Sequence, residues 1–288
     1  NQGDAWVWTL NQFNRALDDL AQREATTEAR DDNIEDYHAF AATIGRQLGT
    51  MHQVLARPTD DTAFALRLAT EEDVAEWMER ADGLFARALD IAASRRDWES
   101  ETSARQAAFL TERRADFLDA VHRLAGSGIG ALVSRIHGDF HLGQVLVASA
   151  DAYIIDFEGE PARPLEERRR KASPMRDVAG LLRSIDYAAG ATLDPKNIVA
   201  MRVPDARRLG LVTRLRKGAQ RAFLAAYEEA AAGLPGMNRN ELLEFFLAEK
   251  AAYEVGYEAA NRPAWIGLPL AGLARIAARL LKVPPEAS

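Results

Sequence analysis

His137-Gly138-Asp139-Phe140-His141-Leu142-Gly143-Gln144 leads into a short apolar run, Val145–Val147, and a second such run, Tyr153–Phe157, falls within Tyr153-Ile154-Ile155-Asp156-Phe157-Glu158. Ala148-Ser149-Ala150-Asp151-Ala152 joins the two. β-Branched and aromatic residues bounded by Gly, Asp and Ser predict a small β-hairpin here, with Leu132–Ile136 as a further strand. Outward from this point the texture is helical, with Ala, Leu, Arg and Glu around apolar residues three and four apart. Helices are expected over Asp4–Glu24, Asn33–Ala56, Thr70–Arg96 and Glu101–Leu124, then over Asp177–Ala189, Asp205–Ala232, Asn240–Asn261 and Pro269–Leu281. Asp31-Asp32-Asn33 is a capping run for the second helix, and Pro58 lies just past its end. Thr70 and Asp73 have capping-box spacing, with Asp where Glu or Gln is usual. Pro161–Pro174 reads as a proline- and arginine-rich loop. The resulting fold class is mainly α (α+β): a helical bundle around one small β-hairpin.

The 288 residues suffice for a large core, and 48% hydrophobic with 27% charged residues is an ordinary globular composition. A net charge of −7 argues against non-specific nucleic-acid binding, which needs a basic face. No stretch approaches the ~18 apolar residues of a membrane span. Cysteine is absent, which excludes disulfides and thiolate chemistry and fits a cytoplasmic location.

Asp139 precedes the carboxamide of Gln144 by five positions, and Asp156 follows Asp139 by 17 at the end of an apolar strand. In the protein-kinase pattern a catalytic Asp precedes a metal-binding Asn by five, and a second metal-binding Asp follows a hairpin. That chemistry needs one carboxylate to orient and deprotonate a hydroxyl, and hard oxygen ligands to hold magnesium against phosphates. Either aspartate alone would be an ordinary turn cap or strand end. The joint pattern is far harder to reach by accident.

HGDFHLGQ, IIDFEGEPARP and SPMRDVAGLLRS together resemble the maltokinase family of aminoglycoside-phosphotransferase-like, protein-kinase-like enzymes, which some bacteria also carry fused behind trehalose synthase. The similarity covers nearly the whole chain. NQGDAWVWTL resembles the segment after the inter-lobe hinge, and EKAAYEVGYEAANRPAWIGLPL resembles the C-terminal signature. The resemblance implies a kinase-like C-lobe, with residues 1–125 as its helical part and 126–288 as its catalytic part. It implies ATP as co-substrate and Mg2+ as metal. Asp139 would be the base acting on the anomeric hydroxyl of maltose, giving maltose 1-phosphate for α-glucan (glycogen) synthesis. Gln144 and Asp156 would bind the metal, with Glu158 helping through water or a second ion. Gln144 matches maltokinases where the wider superfamily has Asn. His137 and Asp177 would support the catalytic loop; Asp177 also suits a plain helix N-terminal charge. Glucose or glucosamine are alternative acceptors, because phosphoryl-transfer motifs do not discriminate among sugars. A partnership with trehalose synthase, by fusion or association, is a further implication.

Lys250, Tyr253, Glu254 and Tyr257 are spaced i, i+3, i+4 and i+7 on one helical face. Spacing alone allows either a carbohydrate platform or two core tyrosines; the resemblance favours the sugar. Gly126-Ser127-Gly128-Ile129-Gly130 follows a helix and precedes a strand, the reverse of a dinucleotide loop, and reads as a helix stop. His137 and His141 lack a helix or third ligand for zinc, and His38, His52 and His122 read as ordinary core or surface residues. Glu166–Lys171 reads as a solvated loop. Only five of the 36 basic residues are lysine and none precedes Lys171, so no phosphate-pairing strand lysine stands upstream of Asp139. The chain opens on Asn1 without methionine. An excised or trimmed chain lacking the N-terminal ATP-binding lobe, with little kinase activity by itself, is the expectation. A degenerate, non-catalytic kinase-like domain is the competing one, although both Asp139 and Asp156 are retained.

Overall fold

The computed structural model describes residues 3–22, 32–149, 151–160, 164–194, 196–236 and 240–283. These fall into two compact units, Asn1–Leu66 with Ser134–Met237, and Arg67–Val133 with Asn238–Ser288.

In the first unit, aromatic and aliphatic residues at helical spacing fold α1 (Ala5–Gln22) and α2 (Asp32–Leu55), while α6 (Leu165–Arg168), α7 (Met175–Thr192), α8 (Ile198–Met201) and α9 (Asp205–Ala230) come after the hairpin. The pairing of α2 with α9 makes the main core, and α7 packs on both α1 and α9. Trp8 lies 4.3 Å from Phe40 between ring centroids, and Phe13 meets Tyr37 edge-on at 5.1 Å. The expected hairpin is β3 (Val145–Ala148) against β4 (Asp151–Ile154), antiparallel, in the register Val145 opposite Ile154. Gly3 and Asp4 cover the other edge of β3, where the Val147 amide donates to the Gly3 carbonyl (3.0 Å). An edge closed in this way is not left open to stray pairing.

The second unit packs α3 (Glu71–Ser94), α4 (Glu101–Glu112), α5 (Arg114–Gly126), α10 (Asn240–Asn261) and α11 (Gly267–Leu280). The capping box forms as the spacing predicts: Thr70 accepts from the Asp73 amide while Asp73 accepts from the Thr70 amide (2.8 Å). Arg67 grips the same Asp73 carboxylate. Trp77 on Phe246 and Phe85 on Phe117 join α3 to α10 and α5. The single helix expected over Glu101–Leu124 is instead broken at Arg113 (φ −100, ψ 18). The two halves have different partners, α4 packing mainly on α11 and α3, α5 on α10 and α3. The strand expected over Leu132–Ile136 shrinks to β2 (Leu132–Val133), which pairs with a short strand missed in the sequence, β1 (Arg67–Leu68). Beyond Val133 the backbone leaves the ladder, and Ser134 bridges to Ala172. The loop expected over Pro161–Pro174 contains α6; its residues 161–163 lie outside the described ones. No helix among the described residues is long and apolar enough to cross a membrane.

Candidate active site

The loop His137–Gln144 is held from beneath by the first turn of α7. Asp177 is 1% exposed, and its carboxylate accepts from the His137 amide (2.8 Å), the Gly138 amide (2.9 Å) and His52 Nε2 (3.0 Å). Burial alone would raise the Asp177 carboxyl. The His52 hydrogen bond, the Gly138 amide and the neighbouring imidazoles outweigh it and hold the group below the usual carboxylate range. His52 Nδ1 meets the Tyr227 hydroxyl at 2.9 Å. Burial, reinforced by the Asp177 charge, pushes that phenol well above its ordinary value, so it keeps its proton.

Gly138 has φ +86, a conformation that a side chain resists, and it turns the chain so that Asp139 leaves the loop half-buried. Two contacts then fix the rest of the loop. The Leu142 amide donates to Ser184 Oγ on α7 (3.1 Å), and the α7 backbone at Gly180 comes so close that a Cβ there would lie under 3.0 Å from the Phe140 carbonyl oxygen. His141 caps the 3-10 turn Leu142–Gln144 by accepting the Gly143 amide at Nδ1 (3.0 Å), and its Nε2 stands 3.9 Å from Asp139.

His137 ties this loop to the end of the hairpin. Its Nε2 lies 2.8 Å from the Ile155 carbonyl, which can only accept, so that nitrogen carries the proton. The next residue, Asp156, sits at φ +65, an uncommon conformation for a non-glycine residue that Asp tolerates better than most. Gln144 Nε2 donates to Asp156 Oδ2 at 3.1 Å, so carboxamide and carboxylate stand side by side. Among the described residues no cluster of three His, Cys, Asp or Glu could hold a metal by itself. One carboxylate and one carboxamide do suit Mg2+, which characteristically takes one or two protein oxygens and completes its shell with water and substrate phosphates. Glu158 is set apart from that pair: its side chain is 70% exposed and faces Arg168 Nη1 (3.5 Å), which also donates to its carbonyl (3.3 Å).

The remaining predicted residues lie in the second unit, on α10. Tyr253 and Tyr257 stack with centroids 6.2 Å apart, and Lys250 Nζ stands 5.0 Å over the Tyr253 ring. Neither tyrosine is core: Tyr253 and Glu254 are half-buried, Tyr257 is exposed, and Ala251, Ala252 and Val255 form the buried face. Arg262 extends the row, 5.7 Å over Tyr257 and 5.5 Å over Trp265, anchored by the buried Glu258 (2.6 Å). Sequence reasoning gave no role to Arg262, Trp265 or Tyr227, and it read His52 as an ordinary core or surface residue. For the first two the signal was present, since Asn261-Arg262-Pro263 ends the same helix. Lys171 in the supposedly solvated run is instead a tether, its ammonium donating to the Thr62 (2.9 Å) and Ala65 (2.7 Å) carbonyls.

A model described as the phosphotransferase enzyme family matches residues 15–212, and the chain belongs to that family, within the protein-kinase-like superfamily. Among curated proteins it is 29% identical over 269 residues to a glucosamine kinase of Streptacidiphilus jiangxiensis, covering 92% of this chain and 53% of that protein. It is 26% identical over 272 residues to a glucosamine kinase of Mycolicibacterium smegmatis, covering 94% and 59%. The chain thus spans about half the length of the curated relatives it matches. A solved glucosamine kinase in complex with glucosamine, ADP and inorganic phosphate superposes with a TM-score of 0.76 at 24% identity, over 97% of this chain and 62% of that one. A crystal form of glucosamine kinase gives 0.74 at 25% identity, over 95% and 56%. The fold is therefore the mainly helical, kinase-like one expected from the hairpin and its flanks. None of these four relatives is named for maltose or for trehalose synthase.

Proposed function

We propose that this chain carries the acceptor and metal side of an ATP-dependent sugar kinase, and that its acceptor is an amino sugar of the glucosamine type rather than maltose. The observation that carries the phosphotransfer reading is the loop itself. Asp139 projects from a backbone clamped by the buried Asp177, and it is tied through His137 to the strand that delivers Asp156 beside Gln144. In the reaction the acceptor hydroxyl oxygen forms a bond to the terminal phosphorus of ATP, the bond from that phosphorus to the bridging oxygen breaks, and ADP leaves. Asp139 orients the hydroxyl and takes its proton. Gln144 and Asp156 would hold Mg2+, which when bound neutralises phosphate charge, with Glu158 in reach only through water or a second ion. Lys250, Tyr253, Glu254 and Tyr257 would bind the sugar, their rings meeting its C–H faces and their charged ends its polar groups.

Two facts favour the amino sugar over the maltose of the sequence expectation. The relatives are named for glucosamine, and the aromatic row includes the carboxylate of Glu254, which suits an ammonium group better than a hydroxyl. The competing expectation of a degenerate domain has to leave the Asp177 clamp under Asp139 without a purpose. The test is titration calorimetry of the chain with glucosamine, glucose and maltose, beside ATP turnover by the protein that carries it. Glucosamine is expected to bind most tightly, and tighter binding of maltose would remove the amino-sugar assignment. Asp139→Asn should retain sugar binding while turnover falls about 10²–10⁴-fold; unchanged turnover would remove the kinase assignment.

A further inference from the structure

Beneath the catalytic loop runs a buried chain of polar groups that the reaction does not touch: the Tyr227 hydroxyl, the His52 imidazole, the Asp177 carboxylate, then the amides of His137 and Gly138. The links measure 2.9, 3.0, 2.8 and 2.9 Å. They join α9 to α2, α2 to α7, and α7 to the loop bearing Asp139. His52 is fully buried, Asp177 is 1% and Tyr227 2% exposed. We propose that Tyr227 is a positioning residue, acting through His52 and Asp177 to set the catalytic loop by fixing the proton inventory of the whole chain.

The inventory closes in one direction. Both Asp177 oxygens face N–H groups, so Asp177 serves only as an acceptor and His52 must place its proton on Nε2. Nδ1 then faces the Tyr227 hydroxyl as the acceptor, and that hydroxyl, which keeps its proton, donates to it. Every group in the chain has a partner of the right polarity. If the Tyr227 hydroxyl is removed, buried Nδ1 has no donor. The ring can then exchange tautomers, and the Nδ1–H form offers Asp177 a bare nitrogen where it needs a proton. The carboxylate would swing, and the two loop amides would lose their fixed acceptor. The geometry around Tyr227 makes the perturbation clean. Its ring packs against Phe223 at 6.2 Å and edge-on to His52 at 5.6 Å, and phenylalanine keeps both contacts.

The proposal rests on reading the loop as the carrier of the catalytic carboxylate, but its first tests do not need activity. In the unaltered protein, nitrogen-15 NMR of His52 should show a single Nε2–H tautomer; an Nδ1–H ring would overturn the proposal without any variant. In Tyr227→Phe the His52 signals should become a tautomer mixture. Amide hydrogen exchange at residues 137 and 138 should quicken on the order of tenfold, with α2 and α9 otherwise protected as before. No change at those amides overturns it, and so does an even rise across α2, α7 and α9, which would mark Tyr227 as packing alone. Where turnover is measured, Tyr227→Phe should lower kcat about tenfold with KM for both substrates unchanged, as a misplaced but intact carboxylate would. Loss of the amide and imidazole effects would sink the relay while leaving the kinase reading standing.

Discussion

Replacing Gly180 by alanine adds one methyl group where α7 rides closest to the catalytic loop. On an open helix surface this change stabilises, because glycine costs about 1 kcal/mol relative to alanine in a helix interior. At Gly180 the new Cβ would lie under 3.0 Å from the Phe140 carbonyl oxygen, a backbone atom that cannot rotate away. Overpacking of this kind costs about 1–3 kcal/mol, so the net expected change lies between neutral and a loss of about 2 kcal/mol. Gly210 on α9 is the internal standard, since its Cβ would meet no atom within 4 Å; Gly210→Ala should gain up to about 1 kcal/mol. Thermal and denaturant unfolding of the two variants side by side should therefore separate them by about 1–3 kcal/mol, a few degrees in Tm for a chain of this size. The loss should also be local. Phe140 is next to Asp139, and the Leu142 amide hangs on Ser184 one turn along the same helix, so a displaced loop should exchange its amides faster. With Asp139 in the proposed role of base, a displacement of even 1 Å there can cost on the order of 10²-fold in rate. If Gly180→Ala matches Gly210→Ala in stability and keeps its amide protection across residues 137–142, the seating of the loop on α7 is wrong.

Asp156→Asn keeps a side chain that tolerates the positive φ but removes the charge, and losing even an outer-shell contact to a metal commonly weakens it about 10–100-fold. The Mg2+ concentration for half-maximal turnover should rise at least that much, Mn2+ relaxation enhancement should fall in parallel, and Glu158→Gln should do far less. Acid stability should track the carboxylates that folding holds below their ordinary values. Asp73 is lowered to about 2, chiefly by its hydrogen bond to Arg67, with burial opposing and the Thr70 amide helping, and Asp177 is shifted in the same direction. A depressed carboxylate stabilises above its unfolded value and loses that contribution as pH falls toward the folded one, so the share of the unfolding free energy that these two carboxylates supply should be level down to about pH 4 and drop below it. Arg67→Ala should flatten that drop by only about 1 kcal/mol, because the Arg67 side chain is 44% exposed and the pair is screened; an acid profile unchanged by Arg67→Ala would refute the attribution.

Helices and hairpin were legible in the sequence because each is a local pattern. The expected bounds of α10 coincide with the observed ones, and the hairpin differs by a few residues. The misses have physical causes. β1 consists of two exposed residues whose strand character comes only from pairing with Leu132 and Val133, so no alternation existed to be read. The break at Arg113 comes from tertiary packing, and helical periodicity runs smoothly across it. At the site, Asp139, Gln144, Asp156 and Asp177 stood in recognisable motifs. His52 did not, because a lone histidine on an amphipathic helix carries no local signal and its partners Asp177 and Tyr227 lie 125 and 175 residues away.

That asymmetry arises from the different jobs of the two sets of residues. Groups that meet a substrate must project together from short, rigid segments, so they cluster in sequence and leave a motif. Groups that hold those segments only need the right polarity at the right depth, and any helix crossing beneath can supply it. Burying a carboxylate is costly unless its acceptors are filled, and Asp177 meets that condition with two loop amides and one imidazole. The imidazole is itself a buried group that needs a donor, which α9 provides through Tyr227. Each step of burial therefore recruits the next element, and the rigidity of the Asp139 loop comes to depend on α2 and α9, whose sequences show no sign of it. A substitution scan confined to the motifs would miss the buried groups that hold the Asp139 loop from below, and the most informative single atom to remove is the Tyr227 hydroxyl oxygen.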